Sequence, residues 1–227
     1  MNLIFNKSIS KFQKIFFLPV LLIQIILIIN TKFTLWPEML VYPYLLNNGF
    51  FNYRDIINPY PPLFTTLLSI ITKYSQNDVL ALQNFTWILI ALINLLIYVS
   101  SYKISKNHYV SFICAGLFAI ISVAFGINGL WYDLVVTPFI IISFLNFYLF
   151  LEKKKPFNLF VSVVFISFAV LIKQQAAVIL LWYFASLLFL KIKLMHFKKI
   201  IALSFLPFII IVIFQFINHL NSYILWL

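Results

Sequence analysis

Acidic residues are scarce in this chain, and their positions give it its chemistry. The five carboxylates are Glu38, Asp55, Asp78, Asp133 and Glu152. Three of them stand among aromatic residues: Glu38 follows Trp36-Pro37, Asp55 follows Tyr53-Arg54, and Asp133 follows Trp131-Tyr132. A carboxylate at an apolar boundary is expensive to keep, so an ionisable group there is a functional candidate by default. Such a group can act as general base on an acceptor hydroxyl. The rings of Trp36, Tyr42, Tyr53, Tyr60, Trp131 and Tyr132 suit the apolar faces of a sugar. Arg54 and Lys173 could hold a phosphate, and Gln174 adds a polar contact beside Lys173.

Each of these residues also has a plainer role open to it. Glu38 could be a solvated loop acid or a charge at a helix start. Asp55 could pair with Arg54 or cap a turn. Asp133 could cap the helix it opens, because Asp is favoured at helix N-termini. Lys173 could be an interfacial lysine whose stem lies along apolar surface.

The elements that must position these residues follow from composition. The chain is 64% hydrophobic and 9% charged, with mean hydropathy +1.06. No soluble domain of this size has that balance. Long apolar runs predict an all-α, polytopic transmembrane bundle, because helices close their own backbone hydrogen bonds in lipid. The alternating polarity of a β-barrel is absent. The net charge of +11 does not point to nucleic acid, because the bases sit at the ends of apolar runs, where they serve topology and lipid headgroups. One cysteine, Cys114, excludes an intrachain disulfide. No spacing of histidines and carboxylates indicates a metal site, and a need for a divalent ion is left open.

Taken in order, the chain reads as one module over 1–227 with about seven spans: 12–29, 85–102, 109–127, 134–151, 157–172, 176–190 and 200–217. Lys7 and Lys11 precede the first span and Lys14 stands in its first turn, and the span is read as uncleaved and N-in. Residues 31–60 then form a first outer loop with a short surface helix from Glu38 to Leu46 and a turn at Asn47-Asn48-Gly49. Residues 61–73 open on Pro61-Pro62 and are too short to cross, so an interfacial helix is expected there. The segment 157–190 as one helix would run ~51 Å, well beyond ~30 Å of hydrocarbon. It would also bury Lys173 mid-membrane at ~2.5–3.5 kcal/mol or more. Two shorter helices meeting at Lys173 avoid this. The resulting N-in, C-out arrangement leaves only Lys32, Arg54, Lys73 and Lys173 of the bases outside, together with every acid except Glu152.

These features, in this order, resemble the GT-C superfamily of membrane glycosyltransferases, and most closely the branch containing protein mannosyltransferases and the RgtA/B/C/D-like enzymes. A first outer loop carries Glu38, Tyr42, Gly49, Tyr53, Asp55 and Pro61-Pro62-Leu63; a second acid opens the fourth span in Gly129-Leu130-Trp131-Tyr132-Asp133; a helix ends in Ile172-Lys173-Gln174-Gln175. The resemblance covers nearly the whole chain and implies direct displacement at the anomeric carbon of a polyprenyl-phosphate sugar. It implies Glu38, Asp133 and Asp55 as the acids of the site, and Lys173 and Arg54 as donor-phosphate ligands. The implied partners are a lipid-linked sugar donor, an acceptor glycan, lipid or protein, and membrane lipids. Two departures stand out: Glu38 follows a proline where the family usually has Asp or an acid pair, and full-length members are considerably longer. The expected location is a prokaryotic plasma membrane. The alternatives are a small transporter or lipid-carrier flippase, favoured by the broken 157–190 segment, and a non-catalytic fragment of a larger transferase.

Overall fold

The computed structural model describes residues 7–75, 78–124, 128–189, 205–206, 209 and 213. Among these the chain is mostly helical. Its elements are α1 (Lys7–Ile29), β1 (Thr34–Leu35), α2 (Glu38–Asn47), α3 (Pro62–Lys73), α4 (Asp78–Ser105), α5 (His108–Ala124), β2 (Gly129–Leu130), α6 (Tyr132–Lys153), α7 (Pro156–Ile172), a single 3-10 turn (Gln174–Ala176) and α8 (Ala177–Phe189). Two described helices, α4 and α6, are long and apolar enough to cross a membrane. A minority of each is buried, and large side chains such as Ile88 and Phe144 are exposed. The other apolar helices are shorter. The expected span 200–217 lies almost wholly outside the described residues, as do the lysines at 191, 193, 198 and 199.

The chain divides into two compact units, each built from two separate stretches. The first joins Met1–Leu35 to Gln83–Leu130. Here α1 packs along α5. Val20, Tyr98, Ala115 and Ala119 form a buried cluster; alanines let helix backbones approach closely. Buried amides answer one another across the helices. Asn94 donates to the Gln24 carbonyl (2.6 Å), and the Gln24 amide donates to the Ser122 hydroxyl (3.2 Å). Asn128 is the clasp of this unit. Its amide nitrogen donates to the carbonyls of Ile28 and Thr31 and to the Thr31 hydroxyl, and its side-chain oxygen accepts from the Trp87 indole at 3.1 Å. Beside it β1 and β2 pair in parallel, Thr34 with Gly129 and Leu35 with Leu130. A Cβ at Gly129 would sit 3.2 Å from the Thr34 carbonyl oxygen, tighter than ordinary contact, so glycine suits this approach.

The second unit joins Trp36–Leu82 to Trp131–Leu227. α2 packs on α3, α3 on α7, and α6 along α7. The Asn47 amide ties the end of α2 to α3 through the Ser69 carbonyl and the Thr72 hydroxyl, both at 3.1 Å. The α6–α7 turn is tight: Lys154 takes a left-handed conformation (φ +53°) and Pro156 opens α7, a favoured first-turn position. Ser143 on α6 bonds the Ser162 carbonyl on α7 (2.8 Å) and the Tyr183 hydroxyl on α8 (2.9 Å), so one buried serine ties three helices. The helix break at Lys173 is observed. Lys173 is extended (φ −147°, ψ 112°), and one 3-10 turn leads into α8.

Candidate functional site

The second unit gathers most of the residues singled out above, and the loop between α2 and α3 does much of the positioning. Backbone bonds close its first half, with the amides of Asp55 and Ile56 on the Phe51 carbonyl and the Tyr53 amide on the Ile56 carbonyl, and side chains hold the rest. The Tyr42 hydroxyl donates to the Ile57 carbonyl (3.3 Å), and the Tyr53 hydroxyl to the Tyr60 carbonyl (2.7 Å). Asn58, only 3% exposed, donates to the Thr65 hydroxyl on α3 and accepts from the Tyr60 amide, both at 3.0 Å. Tyr53 sits at φ +68°, a conformation that non-glycine residues adopt only under local constraint. Burial, then the neighbouring Tyr132, pushes its phenol pKa well above the ordinary value.

The result is an aromatic wall. Tyr60 stacks on Tyr132 with centroids 3.9 Å apart, Phe64 meets Tyr132 edge-on at 5.0 Å, and Trp131 lies 6.4 Å from Tyr60. Trp36 lies tilted against Trp131 at 4.8 Å. Tyr132 is 2% exposed whereas Trp36 is 48% exposed, so the wall runs from buried to open. The Tyr132 hydroxyl bonds Thr65 and lies within electrostatic range of Glu38, Tyr42 and Tyr60.

The three candidate acids part company here. Asp55 is committed to its own loop. It takes two hydrogen bonds from Arg54 (3.0 and 2.9 Å) and one from the Phe51 amide (2.9 Å). The Arg54 guanidinium also lies 4.3 Å from the Phe51 ring centre. The Arg54 bonds first, and the Phe51 amide second, hold the Asp55 carboxyl below its usual range. Asp133, in the first turn of α6, is ion-paired to Lys173. Beside that pair the Gln174 amide donates to the Pro59 carbonyl at 3.3 Å, tying the helix break to the loop that carries Tyr60.

Glu38 differs from both. It lies in the first turn of α2, where the helix dipole favours an anion. Its Oε2 is buried and has no hydrogen-bond partner among the described residues, a property shared with the neutral Asn52 Oδ1, Asn94 Oδ1 and Ser100 Oγ. Tyr42 is four residues on, one turn along the same face. Burial first, and the Glu38 charge second, raise the Tyr42 phenol pKa above its ordinary value. The structure thus brings Glu38, Tyr42, Tyr60, Tyr132, Trp131 and Trp36 into one neighbourhood and joins Asp133, Lys173 and Gln174 at the helix break. It closes Arg54 and Asp55 on each other, and Tyr53 acts through Tyr60. Sequence reasoning missed Asn58 and Thr65. The one available signal was an asparagine immediately before a proline in an aromatic, proline-rich stretch. Among the described residues no group of three histidine, cysteine or acidic side chains converges as metal ligands. No family model, curated protein or solved structure matches the chain.

Proposed function

We propose that the protein is a polytopic membrane glycosyltransferase of GT-C type, with seven spans, moving a sugar from a polyprenyl-phosphate donor to an acceptor hydroxyl at the extracytoplasmic face. The observation that carries the reading is Glu38: a buried carboxylate oxygen with no partner among the described residues, beside Tyr42 and an aromatic wall. A buried acceptor left unsatisfied costs ~1–3 kcal/mol, a penalty that a fold keeps where the group has work to do. In this reading Glu38 takes the acceptor proton. The acceptor oxygen then bonds the anomeric carbon as that carbon's bond to the phosphate oxygen breaks, and the electron pair leaves on the phosphate. Lys173 offsets that charge, and Trp36, Trp131, Tyr60 and Tyr132 hold the sugar. The location that goes with it is a prokaryotic plasma membrane.

The test is transfer from radiolabelled polyprenyl-phosphate sugars in membranes carrying the protein. Replacing a general base should lower the rate ~10²–10⁴-fold, so Glu38→Gln should do so while protein level holds. Unchanged transfer in Glu38→Gln would reject the assigned base. The helix break at Lys173 favours a second reading, a lipid-carrier flippase. Lipid translocation with no sugar transfer by the purified protein would select it.

A further inference from the structure

Lys173 is offered to a phosphate in the reading above, yet its ammonium already holds Asp133. The two partners are unequally placed. The lysine side chain is 21% exposed and the aspartate 61%. An exposed carboxylate gives up an ion pair at little cost, because water replaces the partner. A more buried ammonium left alone costs more. Opening the pair to nothing is therefore unfavourable, whereas exchanging one anion for another is nearly balanced. The Lys173 backbone does not move in such an exchange, since its amide is bonded to the Ala169 carbonyl at 2.8 Å and its carbonyl accepts from the Ala176 amide at 3.0 Å.

We propose that Asp133 is the resident counter-ion of a phosphate site on Lys173, displaced when a lipid phosphate binds and returning to expel it. The proposal rests on the donor class named above and deepens it. A sugar-linked phosphate is a diester with one negative charge. The polyprenyl phosphate left after transfer is a monoester carrying ~1.5–2 charges at neutral pH, by the second ionisation typical of phosphate monoesters. Lys173 therefore holds the product more strongly than the donor. A carboxylate waiting on an exposed side chain lowers that grip and speeds release. Asp133 thus acts on turnover by competing for Lys173, with no need to touch the sugar.

The sign of one substitution separates this role from the others. The full-length protein in neutral nanodiscs is titrated with polyprenyl phosphate. Asp133→Asn should bind it about 1.5- to 5-fold more tightly, the range that losing one competing surface ion pair allows. Lys173→Gln should weaken binding to the level of an uncharged polyprenol. In the wild type, a zero-length carbodiimide cross-link between Asp133 and Lys173 should form in neutral lipid and fade as polyprenyl phosphate is added, a readout that needs no variant to fold. Weaker or equal binding by Asp133→Asn, or a cross-link indifferent to polyprenyl phosphate, overturns the exchange. Equal displacement by inorganic phosphate overturns the lipid source, and equal displacement by phosphatidylglycerol overturns its specificity. The two readings fail separately. Measured sugar transfer with no tightening in Asp133→Asn sinks only the exchange. Tightening without sugar transfer by the wild type sinks only the glycosyltransferase.

Discussion

The two units differ in the kind of polarity their described residues carry. In the first, neutral amides and hydroxyls bond one another across the helices, Gln24 with Asn94 and Ser122 and Asn128 with Trp87 and the end of α1, while Asn94 Oδ1 and the Ser100 hydroxyl have no hydrogen-bond partner among the described residues. In the second, charge is kept. Among the described residues two ion pairs lie there, and Glu38 Oε2 has no hydrogen-bond partner. Neutral amide networks knit helices together at modest cost, and any unmatched member weakens the fold. Charges held near an apolar boundary are poor knitting material. The contrast is one of charge: the first unit joins its helices through neutral groups, and the second keeps carboxylates and their cations.

The sharpest way to break the comparison is Glu38→Gln. Beyond the rate loss given above, its thermal midpoint in detergent should match or exceed that of the wild type, because a neutral amide replaces an unsatisfied charge. A large fall in midpoint would make Glu38 architectural. In the first unit the opposite pattern is expected. Gln24→Leu should cost ~1–3 kcal/mol, since it strips the partner from the buried Asn94 amide. Adding Asn94→Leu should recover much of that loss, because no donor is then left unmatched. Fluorescence-detected melting of both variants checks the pair, and a double variant less stable than the single would contradict it. Smaller effects lie in the loop. Asp55 has a lowered folded pKa, so its contribution is present above the ordinary carboxylate range and is lost as pH falls through the folded value. Hydrogen exchange at Phe51 and Asp55 should therefore quicken, beyond its intrinsic pH trend, only below about pH 4. Smallest of all, Glu38→Gln should lower the Tyr42 phenol pKa slightly, by removing the second cause of its rise and leaving burial; ultraviolet titration would read this.

Much of the fold was legible because it is local. Pro61-Pro62 predicts the start of α3, Asn48-Gly49 the end of α2, and Lys173 in a long apolar run the break before α8; each is observed. Helix ends were harder. Residues 85–102 form the apolar part of a helix that begins at Asp78, because hydropathy marks what lipid would tolerate and not where backbone hydrogen bonds stop. The division into two units was not legible, since it rests on packing between segments far apart, such as α1 on α5. The same holds in the site. Aromatic neighbours flagged Trp131, Tyr132 and Asp133, but the Asp133–Lys173 pair spans 40 positions, and the unpartnered oxygen of Glu38 is a property of the assembled surroundings. Asn58 looked like a turn residue, and its grip on Thr65 follows from the fold of the loop.

The reach of these contacts sets a timetable for biosynthesis. Gln24 is polymerised 98 positions before Ser122, and Ile28 100 before Asn128. At ~5–20 residues per second the glutamine waits roughly 5–20 s for its hydroxyl partner. Pro59 waits longer still for Gln174, 115 positions on. The first unit cannot close until the ribosome has passed Asn128, nor the second until it has passed Gln174. The nascent chain therefore depends on whatever shelters half-finished helices at the exit tunnel, and slowing elongation between Gln24 and Gln174 lengthens that exposure.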